Sequence, residues 1–184
     1  MISGTDIALR ALEVDDLPVL RDWRNRPHYR KYFREYRELN LENQKAWFDA
    51  SVVADHRTLM FGVVEPADAN TLIGVCGLAY INWVHRNADL SIYIGRDDLY
   101  IDTDENGWAW QTMDALLGYG FDELNLHKVW TEIYAFDDQK HELFRRYGLH
   151  QEGVLRDNYF YDGVYQDSHL FSILADEWRS THRR

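Results

Sequence analysis

The chain has 184 residues, 46% of them apolar and 28% charged, the balance of a soluble globular protein rather than a disordered one. A total of 20 Lys and Arg against 31 Asp and Glu leaves a net charge of −11, which argues against a general binder of nucleic acid or anionic membrane. The single cysteine, Cys76, excludes an internal disulfide and a cysteine-based zinc site. No apolar run approaches membrane-spanning length and MISGTDIALR has no signal-peptide core, so a cytoplasmic protein without a membrane partner is expected.

The run IALRAL, residues 7–12, suits an edge strand. Asp15 and Asp16 precede LPVLRDW, a helix start with Pro18 in its first turn and Leu17, Leu20 and Trp23 on one face. A basic, aromatic stretch follows, from Arg21 to Arg37, in which seven cations alternate with His28, Tyr29, Tyr32, Phe33 and Tyr36. Residues 41–52 predict a second helix whose inner face is Ala46, Trp47 and Val53. The period then changes. TLMFGVVE (58–65) and LIGVCGLAY (72–80) predict paired antiparallel strands around the turn PADAN. ADLSIYI (88–94) predicts a third strand, 107–121 a long helix, and KVWTEIYA (128–135) a buried strand. Residues 139–147 predict a short helix stopped by Gly148. Residues 150–155 and 167–174 predict a closing hairpin. The order β-α-α-β-β-β-α-β-α-β-β predicts a mixed α/β (α+β) fold, with one domain over 1–184.

This order, the opening strings Leu9–Arg10, Asp16–Leu17 and Trp23–Arg24–Asn25, and the closing string EGVLRDNYFYDGVYQDSHLFSILADEW resemble the GNAT superfamily of acyl-CoA-dependent N-acyltransferases. The nearest likeness is to the branch that modifies ribosomal-protein N-termini and amino sugars. The resemblance implies a mixed sheet of about seven strands with one splayed pair, flanked by about four helices. It implies acetyl-CoA or another acyl thioester as co-substrate and no metal. The pantetheine arm would lie along Ile92, Tyr93 and Ile94, and the diphosphate would sit on the backbone at Asn106, Gly107, Trp108 and Ala109, where a helix N-terminus presents free N–H donors.

The resemblance makes Glu132, five residues before Asp137, a candidate base; an outward-facing strand carboxylate is the alternative. Three positions depart from the pattern. Asp104 stands in place of a cation before Gly107, within a stretch holding five acids from Asp97 to Glu105. Asp137 replaces an Asn that faces the pantetheine. Phe144 stands where a tyrosine would return a proton to the leaving thiolate, which leaves Tyr134 or Tyr147 to do so, or to serve only in packing. On the acceptor side, Arg30, Tyr32 and Arg37 in the basic stretch are candidates for gripping a phosphate-bearing acceptor, such as a nucleotide sugar or the end of a tRNA, with Trp83 and His85 in the turn between two strands bordering the same cleft; Arg–Glu pairing with Glu35 and Glu38 is the other reading of that stretch. The 8 histidines show no metal-ligand spacing. Three functions stay open: acetyl transfer to a primary amine of a small molecule or amino sugar; a transferase of the same fold using an aminoacyl-tRNA or carrier-protein donor; and a non-catalytic binding protein. A homodimer is left open.

Overall fold

The computed structural model of the chain describes residues 1–182. Eight strands form one sheet: β1 (Ile2–Ser3), β2 (Ala8–Ala11), β3 (Leu59–Glu65), β4 (Thr71–Asn82), β5 (Asn87–Ile94), β6 (Lys128–Tyr134), β7 (His150–Tyr161) and β8 (Val164–Leu174). Their order is β1-β2-β3-β4-β5-β6-β8-β7. The sheet is thus one strand wider than expected, and β2 is not the edge, because Ile2 and Ser3 pair with Leu9 and Ala8. The helices are α1 (Leu17–Asn25), α2 (Pro27–Arg30), α3 (Leu41–Trp47), α4 (Trp108–Gly118), α5 (Asp138–Tyr147) and α6 (Ala175–His182), six where about four were expected.

Local chemistry explains most of these elements. The apolar, β-branched runs of β3 to β5 are buried in the middle of the sheet, with Val63, Ile73, Cys76 and Ile94 fully enclosed. The helix α4 is apolar nearly all round and packs in the core through Ala109, Met113, Leu116 and Leu117. Gly148, at φ 102°, takes the left-handed position that ends α5 and that a side chain would resist. Asp162 and Gly163 both have positive φ and form the two-residue turn of the β7–β8 hairpin. That turn carries β7 to Tyr161, six residues past the end expected from the sequence. The inner face of α3 also differs. Gln44 and Phe48, four residues apart, are buried while Ala46, on the opposite face of α3, is exposed, and Val53 is exposed where the chain runs into a wider π-helical turn over Phe48–Val53 and the 3.6-residue period fails.

One parallel pair sets up the site. Strands β5 and β6 are in register only at Asn87–Lys128, Ala88–Val129 and Asp89–Trp130, although β5 continues to Ile94 and β6 to Tyr134. Just past the last pair, Thr131 Oγ1 donates to the Leu90 carbonyl at 3.1 Å. Beyond that bond the strands diverge. Each keeps its outer partner, β4 for β5 and β8 for β6, so the sheet opens as a V whose inner edges are strand backbone.

Candidate active site

A cavity of about 290 Å³ lies in this V. Residues 90–93 of β5 line one wall and residues 131–134 of β6 the other, and Gln44, Arg34 and Lys140 reach in from the helices and loops around it. Among its buried charges is Asp89, the last paired residue of β5, which is 5% exposed. Burial lifts its carboxyl to about 6, against the pull of Arg34. Arg34 Nη1 lies 3.3 Å from Asp89 Oδ2 and its Nη2 lies 3.5 Å from Glu132 Oε2. Glu132 is held on its other side by Asn158 Nδ2, which donates at 2.6 Å and also donates to Ser168 Oγ at 2.9 Å. Two carboxylates thus share one guanidinium at the point where the strands part. Lys140, at the start of α5, has its pKa lowered by burial, opposed by Asp137 and Asp89. Asp89 is a residue that the sequence reading missed. Its signal was a lone acid in the otherwise apolar and small strand ADLSIYI.

The open end of the V is closed by the chain itself. The segment between β5 and α4 folds back so that Ile94 N–H donates to the Tyr100 carbonyl at 2.7 Å. Tyr100 is 1% exposed. Its hydroxyl donates to Asp137 Oδ2 at 2.7 Å, and its backbone N–H donates to the Tyr29 hydroxyl at 3.0 Å. The phenol therefore spans from the end of β5 to the start of α5, and burial together with Asp137 raises its pKa. Four of the five acids in this segment, Asp97, Asp98, Asp104 and Glu105, face solvent. The fifth, Asp102, turns inward, and its Oδ1 accepts from Ala109 N–H at 3.0 Å at the start of α4. A Cβ on Gly107 would lie 2.7 Å from that same oxygen, so the space a glycine leaves at a helix start is filled by a carboxylate. Asp102 is held above its ordinary pKa by burial, offset by the N–H groups of Ala109 and Trp108.

The candidates from sequence separate into three groups. Glu132, Tyr134, Ile92, Tyr93, Tyr32 and Asp137 all line the cavity. Asn106, Gly107, Trp108 and Ala109 sit around the start of α4 as expected, with Asn106 at φ 69° and Arg96 over the Trp108 ring. Ile94 faces the closing segment rather than the cavity. The remaining candidates fall elsewhere. Tyr147 is buried behind α4, where its hydroxyl donates to Asp114 at 2.6 Å and accepts from Trp178 Nε1 at 3.0 Å. Phe144 is buried against Phe171 and does not reach the cavity. Trp83 and His85 are exposed in the β4–β5 turn and line no part of it. Arg30 pairs with Glu38 and Arg37 with Glu35, and Arg21 and Arg26 pair with Asp22 and Asp98. Arg21, Arg26, Arg30 and Arg37 are therefore neutralised locally.

A sheet opened between parallel strands, with a carboxylate-lined cavity in the opening and a helix start at its far end, is the architecture of an acyl-transfer fold. An acetyltransferase (GNAT) domain model matches residues 6–150, and the chain belongs to the GNAT acetyltransferase family. The spermidine N(1)-acetyltransferase of Vibrio cholerae is 29% identical over 175 residues, covering 95% of this chain and 96% of that protein. The enzyme of the same name from Escherichia coli K12 is 25% identical over 186 residues, covering 100% and 94%. A crystal structure of the Vibrio cholerae spermidine N-acetyltransferase in complex with CoA and spermine superposes with a TM-score of 0.83 at 27% identity, covering 94% of this chain and 98% of that one. A dodecameric structure of the Vibrio enzyme gives a TM-score of 0.75. The chain is a GNAT-type N-acetyltransferase. These relatives do not specify the ribosomal-protein or amino-sugar branch, and they give no support to a tRNA or carrier-protein donor.

Proposed function

We propose that this chain, as one acyltransferase unit, moves the acetyl group of acetyl-CoA onto a primary amine of a small molecule, at the point where β5 and β6 part. The observation that carries the reading is the Asp89–Arg34–Glu132 cluster in the cavity. A primary amine arrives protonated and attacks only as the free base. Asp89, with a pKa of about 6, and Glu132 take up that proton, and Arg34 holds both carboxylates in place. Acetyl-CoA supplies the activated acyl thioester. Tyr134 lines the cavity and burial raises its pKa, so it stays protonated and supplies the hydroxyl that Phe144 lacks. Asp102 and Tyr100 hold the N–H groups of Ala109 and Ile94, the donors best placed for a diphosphate and an extended pantetheine. Acetyl-CoA binds by displacing both. Asp97, Asp98, Tyr100 and Asn106 all have positive φ between 54° and 69°, so the displaced segment gives up a strained conformation.

A polyamine acceptor is the second reading. It is supported by the names of the relatives and by the carboxylates Asp55, Asp89 and Glu132 around the cavity. Self-association is supported by the exposed apolar residues Val154, Leu155, Phe160 and Tyr161 on β7 and by the dodecameric relative. The test is thiol release from acetyl-CoA across a panel of primary amines, with the gain of one acetyl group on the amine followed by mass spectrometry. Stoichiometric release and acetylation support the reading. No release with any amine, from folded protein shown to bind acetyl-CoA, overturns it.

A further inference from the structure

The β7–β8 hairpin falls out of step where it passes the site. Leu155 pairs with Ser168 and Tyr159 with Gln166, so residues 156–158 of β7 stand opposite Asp167 alone. The bulge is pinned. Asp157 sits at φ 50°, a left-handed conformation that a residue with a side chain resists, and its N–H donates to Asp167 Oδ1 at 2.9 Å. A bulge of this kind re-aims side chains and is a built feature of a sheet. In a regular strand consecutive side chains point to opposite faces. Here the consecutive residues Asn158 and Tyr159 both reach β6 on one side: Asn158 Nδ2 donates to Glu132, and the Tyr159 ring stacks on Tyr134 with centroids 3.9 Å apart. Glu132 and Tyr134, two residues apart, share a face of β6, and both line the cavity.

The Asn158 amide is committed on both of its donors. An Asn nitrogen carries two N–H groups; one goes to Glu132 Oε1 at 2.6 Å and the other to Ser168 Oγ at 2.9 Å. Turned over, the amide would set its own oxygen against the carboxylate, so the network fixes which way it points. Glu132 is thereby gripped at both oxygens, Oε1 by Asn158 and Oε2 by Arg34, whose Nη2 lies 3.5 Å away. Each carboxylate oxygen has more than one acceptor site, so lone pairs remain to take a proton from an amine. What the grip removes is rotation of the carboxylate. Asn158 is outside the cavity lining, so it acts on the chemistry through Glu132. We infer that Asn158, delivered by the β7 bulge, is a positioning residue that aims the Glu132 carboxylate at the acceptor amine. This rests on the acetyl-transfer reading above and deepens it, because proton removal inside the V then depends on a strand outside it.

The test uses the best acceptor of the amine panel at saturating acetyl-CoA. Asn158→Ala removes both donors. A misplaced catalytic group can cost about a hundredfold, and the expected kcat at pH 7 is at least about tenfold below wild type, with the KM for the amine within about threefold. On a Glu132→Gln background the same substitution should lower kcat by less than about threefold, because the group it aims is gone. Asn158→Asp sets a second carboxylate against Glu132, and two carboxylates sharing a site hold a proton to higher pH. The ratio of kcat at about pH 9 to kcat at about pH 7 should therefore exceed the wild-type ratio by at least about fivefold. A kcat within threefold of wild type in Asn158→Ala, an equal loss on the Glu132→Gln background, or an unchanged pH ratio in Asn158→Asp overturns the inference and leaves acetyl transfer standing. Crystal structures of the wild type and Asn158→Ala give a readout independent of activity: the Glu132 carboxylate is expected to rotate in the variant, and an unmoved carboxylate overturns the inference. If the wild type acetylates no amine, the acetyl-transfer reading fails by itself. The two crystal structures then still decide whether Asn158 orients Glu132, a rotated carboxylate upholding that assignment and an unmoved one removing it.

Discussion

Replacing Asp102 with Asn isolates the competition at the start of α4. The carboxylate accepts from Ala109 N–H at 3.0 Å, and Asn keeps a neutral acceptor of similar size. A hydrogen bond to a charged group contributes about 1.5–3 kcal/mol against about 0.5–1.5 for a neutral one, and the charge adds about 0.3–1 kcal/mol through the helix dipole. Because Asp102 is half-buried, the low end applies, and the carboxylate is worth roughly 1–2 kcal/mol more than the amide at this seat. A diphosphate that takes over the same N–H must overcome that difference. The account therefore expects acetyl-CoA to bind about 5–30-fold more tightly to Asp102→Asn, at 1.4 kcal/mol per factor of ten. Calorimetric titration reads the affinity. S-acetylpantetheine, which lacks the diphosphate, serves as the control and should change by less than about threefold, within 0.7 kcal/mol. The variant should also melt a few degrees lower, since about 1 kcal/mol shifts a chain of this size by about 2–4 °C. A lower melting temperature with unchanged or weaker acetyl-CoA binding would refute the competition and leave Asp102 as a helix cap alone.

Asp89 makes stability depend on pH in a direction opposite to that of most carboxylates. Burial lifts its folded pKa to about 6, above an unfolded value of about 3.9, so the folded chain holds this proton longer. Its contribution to stability is complete below about pH 4 and is lost as pH rises through about 6. Melting curves should show Asp89→Asn gaining on the wild type between pH 4 and 7; a constant difference would place the carboxyl in water. At the crotch of the V, Thr131→Val removes the donor that holds the Leu90 carbonyl. It should cost about 1–2 kcal/mol in a urea titration, whereas an unchanged midpoint would mean that the bond does not hold the strands. Gly107→Ala would set a Cβ 2.7 Å from Asp102 Oδ1 and should expel that carboxylate, so its acetyl-CoA affinity relative to the Asp102→Asn variant should be no better; a further gain would point to another competitor.

The legible part of the fold was the part written in hydrophobic period. Strands β3 to β6 and helices α1, α4 and α5 follow apolar runs and turn residues that need no tertiary partner to be read. The misses have identifiable causes. Ile2 and Ser3 are too few to carry a period and become a strand only through pairing with Ala8 and Leu9. Asp162–Gly163 is a strong hairpin turn that extends both strands beyond the apolar ends marked by the hydrophobic pattern. The π-helical turn after α3 carries Val53 outward, while Ala46 lies on the face of α3 opposite the buried Gln44. At the site, Glu132 and Asp137 follow from the spacing that the resemblance supplies and Tyr134 from the hydroxyl missing at Phe144; all three line the cavity. Tyr147 was misplaced because the 3.6-residue turn carries it past the cavity face of α5 into the α4 and α6 packing. In the acidic stretch before α4, Asp104, which stands in place of the cation, faces solvent, and Asp102 makes the contact with the helix start. Sequence distance alone could not separate two acids two residues apart on a strained loop.

Proton removal from the amine at the Asp89–Arg34–Glu132 cluster is measured most directly by kcat for acetyl transfer in Asp89→Asn, Glu132→Gln and the double variant at pH 7. General-base catalysis is worth about 10²–10⁴-fold. The account predicts that at least one single variant loses roughly a hundredfold or more, and that the double loses little beyond the worse single, because both carboxylates act through one guanidinium. Wild-type turnover in both single variants would contradict it.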